Sequence, residues 1–142
     1  MKKTIAKIFA LSLVAVMMCA ALTACSLFGP SSDPDKALEA LKDSDYAAEK
    51  IDSTLGLAGY ALIGIDIEEL ECVVAGSSKD GDEGINIFYF EDKDAANDAF
   101  EKIEKFVEEL TEDRDEDDPE IVVKKSGKMV YYGTKEAVKA AK

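Results

Sequence analysis

The sequence contains no histidine and no tryptophan, and it has one arginine, three prolines and three cysteines among its 142 residues. Without histidine, the chain cannot build a Ser-His-Asp triad, a Cys-His pair or a histidine-ligated zinc site. The 30 acidic residues outnumber the 17 basic ones and give a formal net charge of −13. Because nucleic-acid binding depends on clustered lysine and arginine, this balance argues against a nucleic-acid partner.

The N-terminal region has a pattern of its own. Three lysines near the start precede an uncharged stretch, Ile8–Ala24. A basic start followed by a short apolar run is typical of a signal peptide rather than of a membrane-spanning helix. The stretch leads into Leu22-Thr23-Ala24-Cys25. This ending resembles the lipobox of bacterial lipoproteins, which consists of a leucine, two small residues and a cysteine.

The resemblance implies where the mature protein begins and where it resides. In that family a diacylglyceryl group is attached to the cysteine sulfur, and a dedicated peptidase cleaves the chain just before this cysteine. The matching residue is Cys25, so residues 1–24 are a signal peptide that is removed, residues 25–33 a lipidated tether and residues 34–142 a single domain. We therefore expect a protein that is held to the cell membrane, on its extracytoplasmic side, through the lipid on Cys25.

The same processing decides the fate of the cysteines. Cys19 leaves with the signal peptide and Cys25 becomes a thioether, so Cys72 has no partner for an intramolecular disulfide. Cys72 alternates with Leu70 and Val74 along an apolar stretch. We interpret it as a buried small side chain rather than a nucleophile, because the chain has no histidine to activate the thiol.

Hydrophobic periodicity predicts a mixture of helices and strands. Asp33-Pro34 is typical of a capped helix start, Ile85–Phe90 is the strongest strand, and an apolar stripe predicts a long helix that ends near Leu110. We predict an α+β two-layer sandwich, with a mainly antiparallel sheet of four to five strands and helices on one face. The topology is either ferredoxin-like, if Tyr46–Ile51 is also a strand, or a tandem ββα repeat.

An internal similarity underlies the second topology. Glu71–Ser77 (ECVVAGS) matches Glu120–Ser126 (EIVVKKS), and each is followed by a turn, an aromatic strand and a capped helix. The similarity reflects either a duplication or the shared structural preferences of two hairpins. Both interpretations predict four antiparallel strands.

The densest cluster of charge, Thr111–Glu120, holds seven acids in ten residues. Calcium prefers carboxylate oxygens, but an EF-hand alignment that starts at Asp113 places Asp118 at the glycine position and Lys124 at the position of the last glutamate. We therefore interpret the run as a solvated loop and predict no metal site. The glycines around Gly56 lack a phosphate-binding motif, and we identify no catalytic residue and no cofactor.

The residue-level candidates for function are five aromatic side chains on two strands: Phe88, Tyr89, Phe90, Tyr131 and Tyr132. Strand alternation sends neighbouring rings to opposite faces, and helices on one face would cover only one set. We expect Tyr132 and at least one of the first three rings on an open face that binds a second copy or another extracytoplasmic protein. The alternative is that strand twist, long Lys and Glu side chains and loops cover that set.

Three functions from different classes are compatible with the sequence. The first, which we favour, is a membrane-anchored binding or protein-interaction module without catalytic activity. The second is a structural lipoprotein that maintains the envelope and whose acidic surface keeps it soluble. The third is a small histidine-free enzyme. The expected partners are the membrane, through Cys25, and either a homodimer or an extracytoplasmic protein through the sheet face.

Overall fold

The computed structural model describes residues 29–142, so the predicted signal peptide, the lipobox-like sequence and Cys25 lie outside the described residues. The helices of this part of the chain are α1 (Pro34–Asp43), α2 (Thr54–Leu57), α3 (Lys93–Leu110) and α4 (Lys135–Ala140), and a 3₁₀ helix spans Ala58–Ile63. The strands are β1 (Ala47–Ile51), β2 (Leu70–Ser77), β3 (Gly84–Phe90), β4 (Ile121–Ser126) and β5 (Met129–Thr134).

Each α-helix begins at a polar side chain that caps its first turn. Asp33 caps α1 and is followed by Pro34, while Ser53, Asp92 and Thr134 cap the other three helices. Such side chains accept hydrogen bonds from backbone amides that have no partner within the helix. The predicted helix start at Asp33-Pro34 is confirmed.

All five strands form one sheet in the order β1-β2-β3-β5-β4, and every neighbouring pair is antiparallel. The α+β class and the antiparallel sheet of four to five strands are confirmed. Two hairpins, β2–β3 and β4–β5, meet along β3 and β5. The topology is not ferredoxin-like, because β1 lies directly beside β2 and antiparallel to it, whereas a split β-α-β unit keeps two parallel strands apart.

Helices cover both faces of the sheet, which corrects the prediction that they lie on one face. On the side that we call the α3 face, α3 and the 3₁₀ helix pack over a core that includes Val73 and Phe88. On the other side, the α1/α4 face, α1 and α4 pack over Val74 and Ile87. The reason lies in β3 and β5, which are buried at nearly every position, so that both faces have to be removed from water.

The two hairpin units are similar in sequence but differ in how they pack. α3 follows β3 and packs on the α3 face, whereas α4 follows β5 and packs on the opposite face. Val73 belongs to the α3-face core, but its aligned partner Val122 neighbours Val123 of that core and so points the other way. Residues that match in the two units therefore do not occupy equivalent places in the fold.

Strands β3 and β5 approach each other closely at one point. Gly133 pairs with Ile85, and a β-carbon at Gly133 would lie 2.5 Å from the carbonyl oxygen of Gly84 and 2.8 Å from the Cα of Ile85. A side chain there would collide with backbone that cannot move without separating the two strands. Glycine at this position therefore permits the central strand pair.

The expected open aromatic face is absent, and this prediction is wrong. All five rings are buried, with exposed fractions that range from 0% for Phe88 to 7% for Tyr132. The α3-face core holds Phe88, Phe90 and Tyr132. The α1/α4-face core holds the other two, Tyr89 and Tyr131. Alternation does send neighbouring rings to opposite faces, but each face has its own helix layer.

We expect one ring from each face to matter equally for stability. Phe88→Ala and Tyr131→Ala should each lower the free energy of unfolding by about 3–5 kcal/mol, because each leaves a cavity in a filled core. Leu55→Ala, at a side chain that is 88% exposed, should change it by less than about 0.5 kcal/mol. Urea denaturation followed by circular dichroism measures all three values. A negligible loss for Tyr131→Ala would contradict the burial of the second face.

Candidate binding surfaces

One corner of the α3 face is not covered by any helix of the described part of the chain. α3 packs over β4, β5 and β3, and the 3₁₀ helix places Tyr60 in an edge-to-face contact with Phe88, with the ring centroids 5.2 Å apart. The end of β1 and β2 where Ala47 pairs with Ser77 instead borders an open trough of about 450 Å³. We call this cavity the trough.

The trough has a floor of small side chains and a polar rim. Ala47, Ala75 and Ser77 occupy strand positions whose side chains point to the α3 face. Ala75 pairs with Glu49 on one side and with Asn86 on the other, so these three residues form a row across the sheet. The volume of the trough, about 450 Å³, lies within the range of about 300–1,000 Å³ that is typical of ligand sites.

The lining offers hydrogen-bonding groups and one formal charge, which is carried by Glu49. Burial and, to a smaller extent, the Glu49 carboxylate raise the pKa of Tyr60. Burial and then Tyr60 raise the pKa of Tyr132, which pairs with Asn86 in the sheet. Both phenols therefore remain protonated at neutral pH. A carboxylate surrounded by neutral polar groups suits a ligand that is positively charged and donates hydrogen bonds.

Strand β1 forms an edge of the sheet beside the trough. Among residues 29–142 it pairs only with β2, so half of its backbone amides and carbonyls point away from the strands of this sheet. All five of its side chains are exposed or half-buried. The ammonium Nζ of Lys50 lies 2.7 Å from Oδ1 of Asp35 and so is directed towards α1. The unpaired side of β1 therefore borders the trough, since Ala47, Ala48 and Glu49 of this strand line it.

A second surface lies on the connection between β1 and β2. Residues 53–65, which we call the leucine segment, contain no charged side chain, although 33% of the residues in the whole chain are charged. Leu57 is buried in the α3-face core, whereas Leu55 and Leu62 are 88% and 90% exposed. A single exposed leucine is ordinary, but two on one uncharged segment indicate a contact surface.

The acidic run between α3 and β4 is held by its own contacts. Asp118 is 5% exposed, and its Oδ2 accepts a hydrogen bond from the amide of Asp115 at 3.0 Å. The guanidinium of Arg114 donates to the carbonyl oxygen of Asp118 at 3.1 Å. The other acids from 112 to 117 are exposed, so the solvated-loop interpretation applies to them but not to Asp118. Within residues 29–142, no three acidic or cysteine side chains converge as a metal ion would require.

Cys72 lies on β2 in the α1/α4-face core and is 5% exposed. Burial raises the pKa of its thiol to about 11, and the nearby Lys50 ammonium opposes this shift only in part. A thiol with that pKa is protonated at neutral pH and is a poor nucleophile. The interpretation of Cys72 as a buried small side chain is confirmed.

The two surfaces differ in the signal that the sequence carries for them. Alanine, serine and asparagine on a strand form no recognisable motif, so sequence reasoning misses the trough. The leucine segment does carry a signal, which is an uncharged run in a highly charged chain. The helical spacing of the apolar residues in this segment is equally compatible with a buried helix. Only the packing shows that Leu55 and Leu62 point outwards.

No family model matches the sequence, and no curated protein and no solved structure is significantly similar to it. None of the helices in the described part of the chain is both long and apolar enough to cross a bilayer. The function therefore has to be inferred from the surfaces of this chain.

We expect Cys72 to resist alkylation until the domain unfolds. With a pKa of about 11, only about one thiol in a thousand is ionised at pH 8, whereas an unperturbed cysteine is about one quarter ionised. Iodoacetamide at pH 8 should therefore modify the peptide that contains Cys72 at least about 100-fold more slowly in buffer than in concentrated urea. Mass spectrometry of the digested protein measures both rates. Similar rates in the two solutions would contradict the buried, protonated thiol.

Proposed function

We propose that this protein is a lipid-anchored, non-catalytic binding module on the extracytoplasmic side of the cell membrane. The similarity of Leu22-Thr23-Ala24-Cys25 to a lipobox supports the anchor. The trough supports the binding role, because it combines a cavity, a polar rim with one carboxylate and an unpaired strand edge. This trough is the observation that carries the proposal.

The ligand that best fits the trough is an extended peptide segment with a basic side chain. Such a segment would pair with β1 as a sixth strand, since backbone hydrogen bonds to a sheet edge give affinity and pockets for alternate side chains give specificity. Alternate side chains of the added strand would point to the α3 face, beside Ala47 and Glu49. A lysine or arginine at that position would meet the Glu49 carboxylate.

A second copy of the chain fits this edge less well. If two β1 strands paired in antiparallel fashion about their centres, Glu49 would lie directly opposite Glu49 of the partner subunit, and like charges in that position are destabilising. The net charge of −13 adds long-range repulsion between copies. We therefore favour a different extracytoplasmic protein over a homodimer.

We expect Cys25→Ala to abolish anchoring. The variant should accumulate as a precursor that is neither lipidated nor cleaved before residue 25, because the thiol that receives the diacylglyceryl group is missing, and two acyl chains are needed for stable attachment. Cys19→Ala is the matched control and should be processed like the wild type. Cell fractionation and mass spectrometry measure both variants. An unmodified Cys25 at the mature N-terminus, or wild-type protein in the soluble fraction, would refute the anchor.

We expect a random peptide library, selected on the full chain, to enrich proline-free sequences with basic residues at alternate positions. Glu49→Lys should weaken binding of an enriched peptide by at least about tenfold, because it reverses the charge at the rim of the trough. Glu39→Lys makes the same change on the exposed side of α1 and should leave the affinity within about twofold. Surface plasmon resonance measures both affinities. Equal losses in the two variants, or no enrichment, would argue against this ligand.

A further inference from the structure

The leucine segment is apolar on its outer side as well as on its inner side. Leu57 points into the α3-face core, and Tyr60 packs against that core. Leu55 and Leu62 point outwards and are 88% and 90% exposed, and the exposed residues between them are small and uncharged. A segment of this kind presents apolar area to whatever lies next to the domain.

The leucine segment belongs to the end of the sheet where the chain enters the domain. It joins the end of β1 to the start of β2, where Leu70 pairs with Phe90 at the end of β3. At the same end, but on the α1/α4 face, the hydroxyl of Tyr89 donates a hydrogen bond to the carbonyl oxygen of Ser31 at 2.8 Å. The amide of Ser31 donates to the carbonyl oxygen of Ala141 at 2.9 Å. We call this end of the sheet the tether end.

We propose that Leu55 and Leu62 insert into the lipid bilayer beside the anchor. This inference rests on the lipidation of Cys25 that is part of the proposed function. Pro30 is already buried against the domain, so only four residues separate it from Cys25. Even fully extended, this stretch spans about 17 Å. A domain held so closely presents its tether end to the membrane surface.

The chemistry of the leucine segment suits lipid better than a protein partner. Hot spots of protein interfaces are enriched in tryptophan, tyrosine and arginine, and leucine is under-represented among them. Apart from Ser53 and Thr54 at its start, the exposed residues of the segment are leucine, alanine and glycine, and it offers no charged group to pair with a partner. The boundary between headgroups and acyl chains requires no such pairing, and apolar side chains of interfacial segments bury themselves there.

The charges around the leucine segment determine which lipids it prefers. Asp52 precedes the segment, Asp66 and Glu68 follow it, and all three are exposed. Together these three carboxylates repel an anionic surface more strongly than the ammonium of Lys102, whose side chain lies beside Gly64, attracts it. Insertion is therefore favoured in zwitterionic bilayers, weakened by anionic lipid and restored when salt screens the repulsion.

The absence of tryptophan from the sequence provides a silent background for a fluorescence test. Leu62→Trp places the only indole of the chain on the outward side of the segment, and Leu55→Trp provides a second reporter. Leu110→Trp is the matched control, since Leu110 is 42% exposed and ends α3 at the opposite end of the sheet. Each lipidated and processed variant is reconstituted into phosphatidylcholine vesicles that contain brominated acyl chains, after urea denaturation has shown that its stability is unchanged.

We expect the brominated lipid to quench Leu62→Trp and Leu55→Trp at least about threefold more strongly than Leu110→Trp, with emission shifted to the blue. Added phosphatidylglycerol should reduce the quenching, and salt should restore it. Equal quenching of all three variants, in protein that sediments with the vesicles, overturns the inference and leaves the anchor intact. Protein that does not sediment with the vesicles refutes the anchor and the inference together.

Discussion

The pairing of β3 with β5 is the constraint on which the rest of the structure depends. β3 directs Phe88 and Phe90 to the α3 face and Ile87 and Tyr89 to the α1/α4 face, so both sides of the strand have to be buried. A sheet centred on such a strand has to be covered twice. The chain meets this demand with α3 on one side and the shorter α1 and α4 on the other, and it does so without a disulfide among the described residues.

The candidate surfaces arise from the way in which this demand is met. α3 has 18 residues, which corresponds to about 27 Å, and it packs over β3, β5 and β4. The remaining area of the α3 face is divided between two features. The connection after β1 covers the part near Phe88 and leaves Leu55 and Leu62 exposed. The part around Ala75 has no helix above it among the described residues and forms the trough.

The two surfaces lie at different ends of the sheet, so the proposed membrane contact and the proposed ligand site do not occupy the same end of the domain. The leucine segment starts and finishes at the tether end, whereas the trough borders Ala47 and Ser77, at the end of β1 and β2 that points away from it. The acidic loop also lies at this far end, because it leads into Ile121, which pairs with Thr134. An anchored domain would therefore present its trough to the aqueous phase and keep its densest negative charge away from the bilayer.

The sequence by itself determined the local structure of this protein. The start of α1 at Asp33-Pro34 and the strand Ile85–Phe90 follow from capping and periodicity, which act within a few residues. Only the tertiary structure decided what each apolar stripe packs against. A stripe such as Ala137 and Val138 on α4 specifies which side of the helix is buried but not which face of the sheet buries it. The burial of all five aromatic rings and the opening of the trough depend on that choice, because the helices decide which parts of each sheet face are covered.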